Sequence, residues 1–159
     1  MTLIIRFATP SDAETILSFI RGLAEYEHEP DAVKATAAGL RAWLESSDPP
    51  FECLLAEDTG EAVGFALFFR NYSTWSNRPG LYLEDLFVPE RLRGHGIGRA
   101  LMNRLAQIAL ERGWSRIQWS VLDWNTPSQS FYRSLGARPA NEWTMWDIEG
   151  DALAGLAKK

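Results

Sequence analysis

The stretch Arg93-Gly94-His95-Gly96-Ile97-Gly98-Arg99 joins a strand-like run, 81–88, to a helix-like run, 97–113. A strand delivered into a helix through three glycines places the chain among folds that mix the two elements. It also points to a ligand class. Glycines carry no side chain to block access to the backbone, so successive N–H groups at a helix start can converge on an anion, helped by the helix dipole. Charge agrees locally: residues 90–104 hold Arg91, Arg93, Arg99 and Arg104 against Glu90 alone, within a chain of net charge −5. A diphosphate is the natural occupant.

Two common phosphate binders do not fit. A nucleotide P-loop requires Lys and then Ser or Thr after its last glycine, to reach the terminal phosphates and magnesium, whereas Gly98 is followed by Arg99 and Ala100. A dinucleotide fingerprint places its third glycine where this chain has Arg99.

What remains is Arg-x-x-Gly-x-Gly, read as Arg93, Gly96 and Gly98, and this resembles the coenzyme A signature of the GCN5-related N-acetyltransferases. Three more segments strengthen the likeness: Leu81-Tyr82-Leu83-Glu84-Asp85-Leu86-Phe87-Val88 upstream, Asp123-Trp124-Asn125-Thr126-Pro127-Ser128-Gln129-Ser130-Phe131-Tyr132 downstream, and Leu23-Ala24-Glu25-Tyr26-Glu27 near the start. Together they resemble the spermidine/spermine (diamine) acetyltransferase branch over nearly the whole chain.

At 159 residues the chain suits one domain, 1–159, burying roughly 70% of its unfolded surface. With 46% hydrophobic and 23% charged residues it is ordinary globular material, and no apolar run approaches the ~20 residues of a membrane span. The start, Met1-Thr2-Leu3-Ile4-Ile5-Arg6, lacks the pattern of a secretory signal, so a cytoplasmic location is expected. The acidic balance argues against a nucleic-acid partner and favours cationic ones. Cys53 is the only cysteine, which rules out an intrachain disulfide, and its strand-like setting suits burial. His28 and His95 lack partners at ligand spacing, so no metal is expected.

Hydrophobic periodicity predicts strands at 2–7, 52–57, 61–72, 81–88, 116–122 and 143–148, with helices over 13–27, 35–45, 97–113 and 126–135 and a short or frayed one at 151–159. Asp58-Thr59-Gly60 reads as a hairpin turn. This order is α/β with a mixed sheet flanked by helices. The resemblance makes it more specific: a GNAT fold, mostly antiparallel, whose central strands splay apart at the acetyl-CoA site.

Acetyl transfer to an amine needs a thioester held in place, a neutral amine, and a proton for the departing thiolate. The resemblance supplies a candidate for each need. Backbone groups of Arg93, Gly94, His95, Gly96, Ile97, Gly98 and Arg99 would hold the diphosphate, and the edge of Leu86, Phe87 and Val88 would pair with the pantetheine arm as a strand would. Asn125, Ser128 and Tyr132 complete the donor side. Tyr132 matches the family's general acid, apt because a phenol of pKa about 10 can protonate a thiolate of pKa about 8.5; on pattern alone it could equally be a core residue beside Phe131. Glu84 and Asp85 are adjacent on a strand and should face opposite ways, so both serve one site only if the strand is bulged there, as it is in the family. On that likeness Glu84 steers the ammonium and removes its proton, directly or through a water. Tyr26, Glu27 and Trp75 match substrate-side positions, where acids and aromatics suit a long polycation; Glu27 could instead belong to a solvated helix end. Thr74, residues 118–120 and Glu142 are weaker substrate candidates.

The expectation is an acetyl-CoA-dependent N-acetyltransferase acting on a small primary amine, a diamine, polyamine or thialysine-like amino acid, by direct attack in a ternary complex. The family implies a homodimer. Rival readings are an acetyltransferase for a protein or antibiotic amine, which an acceptor screen would separate, and a non-catalytic acyl-CoA-binding module, which would not need Tyr132 and Glu84 together.

Overall fold

The computed structural model describes residues 1–158. They divide into two compact units, 1–122 and the remainder from Asp123, each described by itself.

The first unit is built on a five-stranded sheet of order β1-β2-β3-β4-β5. Strands β1 (Leu3–Phe7), β2 (Glu52–Asp58), β3 (Glu61–Ser73) and β4 (Arg78–Phe87) follow one another antiparallel, and β5 (Ile117–Gln118) runs parallel to β4. Helices α1 (Ala13–Tyr26), α2 (Ala37–Glu45) and α3 (Ile97–Glu111) flank it. The β2–β3 turn has two central residues, Thr59 and Gly60, with φ of 51° and 85°. Positive φ at both positions gives the twist a tight hairpin needs, as the Asp-Thr-Gly sequence predicts.

Alternation along the strands divides the core between two faces. Cys53, Leu55, Phe65 and Leu67 pack in one cluster with Ala13, Ile16, Leu17 and Phe19 of α1 and Leu40 of α2. Their neighbours Leu54, Ala66 and Phe68 point the other way, and α3 buries Ile97, Leu101, Leu105 and Ile108. Cys53 lies buried, and burial pushes its thiol up, consistent with packing and not nucleophilic chemistry. Arg6 bridges Asp12 at 2.9 Å and Glu57 at 2.6 Å, tying β1 to β2 and to the start of α1.

Two predicted strands differ from the structure. The expected strand 116–122 forms a ladder only through Leu81–Ile117 and Tyr82–Gln118. The β4 strand bulges just beyond, at Glu84, and its ladder with β5 stops at Tyr82. The expected strand 143–148 is irregular: an apolar, β-prone sequence makes a strand only where another strand accepts its hydrogen bonds.

In the second unit, α4 (Thr126–Ser134) starts where the sequence predicts. The Asn125 side chain accepts from the Ser128 N–H at 3.3 Å, and Pro127 occupies the first turn. Helix α5 (Gly150–Leu156) follows, one residue ahead of the expected terminal helix, whose last position, Lys159, lies outside the described residues. No described helix is long and apolar enough to cross a membrane.

Candidate active site

The glycine turn is open on its outer side. Gly94 and Gly96 have φ of +82° and +81°, and a Cβ at either would meet nothing within 4 Å. Gly96 is the left-handed residue ahead of α3, whose first intrahelical bond is donated by the Ala100 N–H to Gly96 O at 2.9 Å. Amides before Ala100 therefore have no acceptor within the helix and point out of its positive end. The His95 ring braces the bend, its Nδ1 lying 3.0 Å from Arg93 O and 3.2 Å from Leu92 O. Arg93 behaves differently from its neighbours. Its Nε donates to Val88 O at 3.0 Å, and its guanidinium lies 4.3 Å from the Tyr26 ring centre and 6.0 Å from that of Phe87. Its side chain is committed to the strand end and to α1, so the turn offers an anion chiefly its backbone.

Beside the turn, β4 carries a bulge. Leu67 pairs with Asp85 but Phe68 pairs with Leu83, leaving Glu84 as the extra residue. Without it, Asp85 would share the face of Leu83. With it, Asp85 joins Leu67 on the α1 side, and Glu84 is the unpaired residue of the bulge. The β4–β5 ladder ends at Tyr82, so the edge from Leu83 to Phe87 parts from β5, which is the splay the resemblance implies.

Electrostatics mark the same place. Burial, then the charges of Glu84 and Glu27, push the Asp85 carboxyl up to about 6. Burial also raises Glu27. Glu27 caps the C-terminal end of α1, its N–H bonded to Leu23 O at 2.9 Å, directly after Tyr26. Glu84 is exposed. The charges of Glu84 and Glu27 both act on Asp85, and a cation bound there would relieve that repulsion.

Trp75 is 86% exposed in the 74–77 loop of the β3–β4 hairpin, six residues of β4 beyond Glu84 from Arg78, or about 20 Å of extended chain. The fold does not bring it to the acids within one chain. Gln118 is held by Asn71, whose Nδ2 donates to it at 3.2 Å, and Ser120 lies 3.1 Å from the Tyr82 hydroxyl. In the second unit Asn125 caps α4 and Tyr132 lies seven residues on, about 10 Å along the helix axis. The sequence reading missed the Arg93–Tyr26 contact and the dominance of Asp85 in the acid cluster. Neither leaves a local signal, since one joins segments 67 residues apart and the other depends on burial.

Comparison with known proteins decides the family. A model of the acetyltransferase (GNAT) family matches residues 14–137. The chain belongs to this family. It is 40% identical to thialysine N-epsilon-acetyltransferase of Sus scrofa, over 99% of each chain. It is also 34% identical to human spermidine/spermine N(1)-acetyltransferase-like protein 1, over 91% of this chain and 22% of that one. Among solved structures, an integron cassette protein of V. cholerae superposes with a TM-score of 0.83 at 27% identity, covering 100% of this chain and 99% of that one. The acetyltransferase is an enzyme of the diamine-acetyltransferase-like branch, and its family uses acetyl-CoA as acyl donor. The residues present fit such a donor. The left-handed glycine bend leaves open space where side chains would stand, and an outgoing helix directs its amides there.

Proposed function

We propose that this acetyltransferase, as one catalytic domain spanning 1–159, acetylates a primary amine of a small cationic substrate, a diamine, polyamine or thialysine-like amino acid. The observation that supports the proposal is the β4 bulge at Glu84, which turns Asp85 to the α1 side, where it is half-buried and within reach of the charges of Glu84 and Glu27. The relatives named for thialysine and spermidine/spermine chemistry act on amines of this kind. The family match runs through both compact units, which supports reading them as one domain.

The donor contributes an acetyl thioester. Backbone amides of Gly94 to Arg99 hold its diphosphate, with Arg93 shaping the bend, while the edge of Leu86, Phe87 and Val88 receives the amide-rich arm; Asn125 and Ser128 are assigned to donor binding as well. Tyr26, Glu27 and Asp85 hold the acceptor's charged groups. Glu84, exposed to solvent, takes a proton from the reacting ammonium through a water. The neutral nitrogen then bonds to the acetyl carbon as the carbon–sulfur bond breaks, and Tyr132 gives its proton to the departing sulfur. Attack is direct, in a ternary complex, because the sole cysteine is buried in the core. The enzyme works in the cytoplasm as a homodimer. Support for pairing is the apolar tail, where Trp143, Met145 and Trp146 are 71%, 68% and 89% exposed, and the distance of Trp75 from the acids of its own chain.

Incubation with acetyl-CoA and a panel of amines, reading released thiol and product mass, tests the assignment. Thialysine, diamines and polyamines should turn over, and neutral or acidic amines should not. Absence of transfer to every cationic amine, with acetyl-CoA bound, would refute the acceptor class.

A further inference from the structure

We infer that Arg93 is a positioning residue that couples the donor turn to the acceptor end of α1, through its guanidinium on Tyr26 and its Nε on Val88 O. The inference rests on the donor and acceptor assignments just made and goes beyond them. An arginine entering a diphosphate-binding bend would be expected to reach for the ligand. Here the side chain is turned back: Nε donates to Val88 O at 3.0 Å, and the guanidinium carbon sits 4.3 Å from the centre of the Tyr26 ring. The planar face and the Nε donor are used together, which lysine cannot imitate.

The link is short at both ends. Gly94, with φ of +82°, follows Arg93 directly, so a change in the bend when a diphosphate settles on it moves the arginine's own backbone. Tyr26 is the last residue of α1 and Glu27 its cap, and the charge of Glu27 is one of those acting on Asp85. Displacement of the bend therefore reaches the acids through one cation–aromatic contact. Coupling between sites is reciprocal, so donor and acceptor should change each other's affinity by the same factor, and removing the Tyr26 ring that carries the link should change donor affinity.

The test is calorimetric titration of coenzyme A, with thermal melting of each variant alongside. Tyr26→Leu should weaken binding about fivefold, the order expected from losing one cation–aromatic contact, and Tyr26→Phe should bind as the native protein does. In an Arg93→Lys background, Tyr26→Leu should cause no additional loss, since the two residues act as a pair. A purely structural role would lower melting temperature and leave affinity unchanged; that result, or additive losses in the double variant, overturns the coupling. Should Tyr26→Leu fail to fold, Arg93→Lys carries the test alone, because Arg93 is exposed: native affinity there overturns the coupling too. Failure of the native protein to bind coenzyme A would instead strike the donor assignment itself, and the coupling with it.

Discussion

Glu84 and Asp85 are neighbours with different surroundings, and the difference sets what each can do. The Asp85 carboxyl is pushed up to about 6, first by burial and then by the charges of Glu84 and Glu27. The sign of its effect on stability follows. A carboxyl whose folded pKa exceeds its unfolded value of 3.8 favours folding when protonated, so its contribution is fully present below about pH 4 and is lost as pH rises through about 6. Asp85→Asn should therefore raise stability at pH 7, by up to about 3 kcal/mol, while raising KM for cationic amines. Denaturant melts at pH 7 and pH 4 check the first part, since the gain should shrink at pH 4. The same titration should make native KM for diamines climb as pH falls below about 6, which steady-state kinetics across pH 5–8 checks. Tyr132→Phe should reduce kcat by about 10²-fold or more and leave coenzyme A affinity within a factor of about two, as expected on losing a general acid; unchanged kcat would discard the proton-donor role. None of these surroundings can be read from the dipeptide Glu-Asp, because burial and the approach of Glu27 come from distant segments.

At the level of elements, the glycine turn and the bulge do most to place the chemistry. The turn was legible in the sequence, since glycine is the residue that accepts the left-handed backbone found at Gly94 and Gly96. Gly96→Ala should cost about 1–2 kcal/mol from strain at positive φ, although its Cβ would have open space, and should weaken acetyl-CoA binding. Paired melting and binding measurements check both. Gly22 on α1 is the opposite case: a Cβ there would stand 2.8 Å from the Phe87 ring. Nothing in the sequence announces that approach. The bulge was expected only by resemblance, and periodicity cannot supply it, because one inserted residue in β4 changes which face every later side chain takes. The shortened β5 and the irregular 143–148 segment have a common cause. Local sequence favours an extended chain, but a strand exists only where a neighbour of matching register is in reach, and register is a long-range property.

Across the whole molecule, the exposed tryptophans of the tail set the main test of assembly. Trp143→Ser with Trp146→Ser should shift sedimentation from dimer toward monomer and, if Trp75 is supplied between copies, lower activity on polyamines in parallel. A native protein that sediments as a monomer at working concentration would remove the homodimer from the proposal. The sequence by itself determined the α/β order, the hairpin at Thr59-Gly60 and the glycine bend ahead of α3, because each is fixed by backbone preferences within a few residues, while the cap of α4, expected at Thr126, falls one residue earlier on Asn125. Only the tertiary structure decided that Asp85 shares the α1 side with Leu67 and feels the charge of Glu27, and that Arg93 turns away from the bend onto Tyr26. Burial and the meeting of distant segments have no local code: they arise when strand pairing and core packing choose one register from many that the same residues would allow.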